Sequence, residues 1–181
     1  MKVKNNESKN SQKSLAIAIF LDFENVSQFY IASDLLKFAR QQGKVVTSKA
    51  YSCNWNENHK SHLEFKGFEC IQVDNPDKIK NAVDFQIAID CFKPTRTNSY
   101  PEVIILVTGD CYSQIIQQNL KSENRKLIVL ARRGSDCHSL KKQVDEFYYI
   151  DQLPDLVKNL DYETLQTEAY ICYEDAVNCL I

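Results

Sequence analysis

The chain has 181 residues, 44% of them hydrophobic and 25% charged, with a formal net charge of -2, which suits one soluble globular domain with short appendages. That charge excludes binding to nucleic acid by bulk electrostatics, so any such role must rest on a local patch. No apolar run approaches the roughly 18 residues of a membrane span, and the lysine-bearing start MKVKNNESKNSQKS has no apolar h-region behind it before the first strand. The expected location is the cytoplasm, with no membrane partner.

Residues 1–14 are polar and rich in Asn, Ser and Lys, the composition of a disordered arm. LAIAIFLD at 15–22 is a buried strand that ends in Asp22. A helix follows to about Arg40, with Leu35, Leu36 and Ala39 inward and Gly43 as its stop. KVVTSKAYS reads as a second strand, 53–65 as a polar loop entering a short helix, and FECIQVD at 68–74 as a third strand. In KIKNAVDFQIAIDCF, Ile79, Val83, Ile87 and Cys91 recur every fourth residue, predicting a helix with that face on the sheet. Pro76 marks its earliest start.

PEVIILVTGD is a fourth strand, and CYSQIIQQNLKS a helix with Ile115, Ile116 and Leu120 inward. KLIVLAR reads as a fifth strand, SLKKQVDEF as a helix and FYYID as a short last strand. Strand and helix alternate without hairpin signals, which predicts a mostly parallel sheet covered on both faces, with its site beyond the carboxyl ends of the strands. Residues 152–181 form an acidic extension with Leu165, Ala169, Cys172, Ala176 and Cys179 at helical spacing, suited to docking on its own domain, self-association or a protein partner.

The seven cysteines include no CxxC pair and read as reduced core thiols. Cys53, His59, His62 and Cys70 lack a recognised zinc spacing, and their segment reads as a polar loop.

Carboxylates gather at the expected site. Asp22 and Asp110 each follow a buried strand, and Asp84 lies in the first turns of a helix that starts from the same rim. Three carboxylates there repel one another unless they bind protons or a hard cation such as Mg2+ or Mn2+. Asp90 stands about 9 Å further along its helix and faces elsewhere. Asn25 could orient a water or a phosphate, and Arg132 and Arg133, just after the fifth strand, are candidates for phosphate contacts.

LDFEN, KNAVD, a strand ending in TGD, and VDEFYYID together resemble the NYN domain of the PIN-like nuclease superfamily over residues 15–151. The resemblance implies a three-layer α/β/α sandwich with a central, mostly parallel sheet, and a divalent-metal site that many members use to cut RNA. Asp22 and Asn25 match the first motif, Asp84 the second and Asp110 the third. Asp145 matches a late aspartate, expected to be structural. The family's third motif continues with a second Asp and a Phe, whereas this chain has Cys111, Tyr112 and Ser113 after Asp110. Its site is expected to lack one charge, unless Glu24 or Asp136 supplies it.

Two functions follow. One is a metal-dependent ribonuclease with Asp22, Asp84 and Asp110 as metal ligands and Asn25 in the catalytic set. The other is a weakened or inactive RNA-binding or protein-interaction module, with Tyr112 stacking on a base. A phosphotransfer enzyme ranks below both, because four glycines leave little material for a phosphate-cradling loop.

Overall fold

The computed structural model describes residues 14–94 and 99–158. Six strands form a single all-parallel sheet in the order β3-β2-β1-β4-β5-β6. They are β1 (Ala16–Asp22), β2 (Lys44–Ser52), β3 (Glu69–Gln72), β4 (Val103–Val107), β5 (Lys126–Ala131) and β6 (Glu146–Tyr149). The helices are α1 (Ala32–Gln42), α2 (Glu57–Phe65), α3 (Ala82–Cys91) and α4 (Tyr112–Ser122), with further helical residues at 153–158.

Alternation along the central strands makes the layers. Ile17, Ile19 and Leu21 of β1, with Ile105 and Val107 of β4, pack against Leu35 and Phe38 of α1 and against Leu153 and Val157. The intervening Ala18 and Phe20, with Ile104 and Leu106, face Val83 and Ile87 of α3 and Ile116 and Leu120 of α4. The result is the three-layer α/β/α sandwich expected, with the chain reversing into β2 at Gly43. There φ is 154°, and a Cβ would lie 2.3 Å from the Leu15 carbonyl oxygen, so only glycine fits.

Three expectations need correction. The helix expected from Pro76 begins at Ala82, because Asn81 is left-handed at φ 64°. Before it, the Asn75 side chain closes a turn by accepting from the Ile79 N–H and donating to the Ile79 carbonyl. Ile79 is therefore exposed while Val83, Ile87 and Cys91 are buried. In α4 the inward set is Ser113, Ile116, Gln117 and Leu120, so Ile115 faces solvent. SLKKQVDEF forms only a 3-10 turn at Leu140–Lys142, because the chain must return to the amino end of the sheet to enter β6 in parallel. Asp145 secures that return by accepting the Leu127 N–H at 2.8 Å. The polar arm and the acidic C-terminal helix lie outside the described residues, save that 153–158 are helical.

Asp90 belongs to the framework. Its buried carboxylate accepts from Tyr51 Oη at 2.9 Å and pairs with Lys49 at 3.0 Å and Lys93 at 2.8 Å. Burial alone would raise its pKa, but the hydrogen bonds from Lys93, Lys49 and Tyr51 outweigh it and hold the carboxyl below the ordinary range. Replacing Asp90 strands a buried phenol and removes the carboxylate with which Lys49 and Lys93 pair. Asp90→Ala is expected to lower unfolding stability in urea by about 2–4 kcal/mol while leaving divalent-cation affinity unchanged. A change in cation affinity without loss of stability would assign Asp90 to the site instead.

Candidate metal centre

Asp22 ends β1 at 1% exposure and has the same parity as Ala18 and Phe20, so its side chain points to the face where α3 and α4 begin. Asp84 lies in the first turn of α3. Asp110 lies two residues before α4, next to its N-cap Cys111. One carboxylate oxygen from each lies within 4.8 Å of the others. The sheet thus brings together residues that are 88 positions apart in sequence at the extremes, 22 and 110.

Asp22 is held from three sides. Its Oδ1 accepts the Asn25 N–H at 3.1 Å. Its Oδ2 accepts from Thr108 Oγ1 at 3.1 Å and from Tyr112 Oη at 3.4 Å. Asn25 also fixes the neighbouring turn, because its Oδ1 accepts the Gly109 N–H at 2.9 Å. Gly109 cannot carry a side chain: a Cβ would lie 2.2 Å from the Ser135 carbonyl oxygen. The loop after β5 is therefore pressed onto the Asp110 turn, and the Cys137 N–H donates to the Gly109 carbonyl at 2.8 Å.

A Cys111–Cys137 disulfide joins the same two loops, which corrects the expectation that all the thiols are reduced. Cys53, Cys70 and Cys91 are free, and Cys172 and Cys179 lie outside the described residues. Of the first histidines, His59 stacks on Phe29 at 4.4 Å and His62 meets the same ring edge-on.

Charge accumulates without compensation. Among the described residues none of Asp22, Asp84 and Asp110 is ion-paired with Lys or Arg. Burial, reinforced by Asp84 and Asp110, pushes the Asp22 carboxyl up to about 6 despite its hydrogen bonds. Burial and the nearby Asp110 push Asp84 up to about 6 as well. An all-oxygen, anionic and uncompensated donor set fits a hard divalent cation.

The remaining candidates are placed as follows. The Tyr112 ring packs on the α3/α4 core, and burial keeps its phenol protonated far above neutral pH. Glu24 accepts the Cys53 N–H at 2.7 Å, and Asp136 accepts from Tyr149 Oη at 3.4 Å, so neither joins the group of three. Arg133 pairs with Asp151 at 2.6 Å and lies over the Tyr149 ring at 4.1 Å. Arg132 is exposed and touches Ser135 Oγ at 3.2 Å. Thr108 escaped the sequence reading, although its parity with Ile104 and Leu106 puts it on the Asp22 face.

A parallel α/β/α sandwich with a carboxylate triad at its carboxyl rim, of which Asp22 is buried and Asp84 and Asp110 reach solvent, defines the class. The NYN domain model matches residues 16–151, and the chain belongs to the NYN domain family of the PIN-like superfamily. Among solved structures it is similar to a protein of unknown function from Vibrio parahaemolyticus RIMD 2210633, at 22% identity and a TM-score of 0.56, over 79% of this chain and 97% of that one; this likeness concerns the fold. No curated protein matches the chain significantly. Among the described residues no helix is long and apolar enough to cross a membrane.

The raised carboxyls set a pH dependence. Asp22 and Asp84 hold protons more tightly folded than unfolded, so their contribution favours the native state below about pH 4 and is lost as pH rises through about 6. Asp84→Asn removes one repelling charge. In EDTA at pH 7.5 it is expected to raise Tm by about 2–4 °C, equivalent to about 1 kcal/mol after solvent screening, and to have little effect at pH 4. A lower Tm at pH 7.5 would contradict the repulsion.

Proposed function

We propose that this NYN domain is a divalent-cation-dependent ribonuclease, in which Asp22, Asp84 and Asp110 hold one Mg2+ or Mn2+. The observation carrying this reading is that three carboxylates lie within 4.8 Å of one another with no cationic partner among the described residues. A cation bound there would polarise a phosphate and lower the pKa of a bound water towards neutrality.

The chain's own groups have separate tasks. Asp22 is the most tightly positioned ligand, because three donors fix both its oxygens. Asn25 keeps the Asp110 turn in place through Gly109. Its Nδ2 has no acceptor among the described residues and is the donor offered to a phosphate oxygen. Arg132, exposed beyond β5, attracts the RNA backbone. Arg133 is largely committed to Asp151 and Tyr149 and is the weaker phosphate candidate.

Tyr112 supports a second reading, a non-catalytic RNA-binding or protein-interaction module. A neutral phenol stands where the family motif has a carboxylate, and it donates to Asp22 without adding charge. Its packed ring offers little free face to a base, which favours a role in tuning Asp22 over stacking. With three ligand charges rather than four, cation affinity and turnover should be modest.

Calorimetry with Mn2+ and a cleavage assay on mixed single-stranded RNA separate the readings. The native chain is expected to cut RNA only with added Mn2+ or Mg2+. Asp110→Asn should weaken Mn2+ binding by about tenfold or more and abolish cleavage. Tyr112→Asp should tighten Mn2+ binding and raise the rate. Equal Mn2+ affinity in native and Asp110→Asn proteins would overturn the metal assignment. RNA binding without cleavage in both the native and Tyr112→Asp proteins would favour the non-catalytic module.

A further inference from the structure

A second feature lies on the carboxyl rim, on the α1 side of the sheet. Segments following β1, β5 and β6 and the start of α1 enclose a cavity of about 370 Å³, within the size range of small-molecule sites. Tyr30, Ile31, Leu153 and Pro154 give it apolar and aromatic walls, and Asp34 and Arg132 also line it. Arg133 and Asp151 line it too, but their mutual ion pair leaves no net charge.

Two charges remain uncommitted. Asp34, in the first turn of α1, is half-buried and has no ion-pair or side-chain hydrogen-bond partner among the described residues. Among the described residues the Arg132 side chain has only Ser135 Oγ as a hydrogen-bond partner. The Tyr30 ring is 64% exposed, meeting Phe29 edge-on at 6.1 Å, so one face is available for stacking.

We propose that this cavity is a nucleobase subsite that takes a guanine nucleotide of single-stranded RNA, with Asp34 reading the base, Tyr30 stacking on it and Arg132 contacting its phosphate. Guanine presents two adjacent donors, N1–H and the N2 amino group, and a carboxylate offers two acceptors in a matching fork. Adenine and cytosine present a single donor group beside a ring nitrogen acceptor. Uracil presents one N–H between two carbonyls, which repel a carboxylate. A cation and a carboxylate beside an aromatic ring thus match the three parts of a guanine nucleotide.

Position favours RNA over a peptide. β4 and β5 are neighbours with Val107 paired to Leu130, so the turn carrying Asp110 and the loop carrying Arg132 leave the same rim from adjacent strands. A strand of RNA crossing the rim could place one nucleotide in the cavity and a neighbouring phosphate at the carboxylates. The inference rests on the ribonuclease reading for its choice of ligand, but it concerns binding and needs no metal.

The test is calorimetry of the full chain with guanosine, adenosine, cytidine and uridine 5′-monophosphates in EDTA. Guanosine monophosphate is expected to bind about tenfold or more tighter than the others. Asp34→Asn should erase that preference. Arg132→Ala should weaken guanosine monophosphate while leaving guanosine itself unchanged. Asp110→Asn should keep the base order, so a failed cleavage assay and a failed base preference are separate results. Equal binding of all four nucleotides, no binding at millimolar concentration, or a guanine preference that survives in Asp34→Asn would overturn the proposal. So would tighter binding by a lysine-rich peptide than by any nucleotide.

Discussion

Mutual repulsion among three carboxylates is the constraint on which the rest of the structure depends. Asp22, Asp84 and Asp110 come within 4.8 Å of one another, and two of them are raised to about 6 by burial and by their neighbours. A fold gains nothing in stability from such a group and must hold it by other means. The buried β1 and β4 strands supply the means, because their alternation leaves a large apolar core on both faces of the sheet. Stability generated there offsets strain at the rim.

The local supports all converge on Asp22 and the Asp110 turn. Thr108, Asn25 and Tyr112 direct donors at Asp22, and Asn25 also holds Gly109. Gly109 admits the close approach of the Ser135 backbone, and the Cys111–Cys137 disulfide closes the same contact covalently. A turn secured this way holds Asp110 in place by itself, which under the proposed metal-site reading would reduce the ordering cost of binding a cation. Tyr112 fits the same logic: it supplies hydrogen bonding where a further carboxylate would increase the repulsion.

Much of this was legible in the sequence because it follows from strand burial. LAIAIFLD and VIILVTGD had to be buried parallel strands, and Asp22, Asp84 and Asp110 had to share their rim once the crossover helices were placed. The failures lie where one side chain decides a local conformation. Asn75 and Asn81 break the helix that the spacing of Ile79 and Val83 suggested. The run of Ile115 and Ile116 does not reveal which of the two faces the sheet, and α4 buries Ile116 while Ile115 meets solvent. The disulfide depended on adjacency of the loops after β4 and β5, which cysteine spacing along the chain does not encode. Thr108 and the pairing of Arg133 with Asp151 likewise required the folded geometry.

The central claim is that the three carboxylates act together as one cation site. Anomalous X-ray diffraction from crystals soaked in Mn2+ tests it most directly. The account predicts one strong anomalous peak bounded by Asp22, Asp84 and Asp110, with carboxylate oxygens at about 2.1–2.3 Å. A peak elsewhere with none at the triad, or no peak at all at saturating Mn2+, would contradict it.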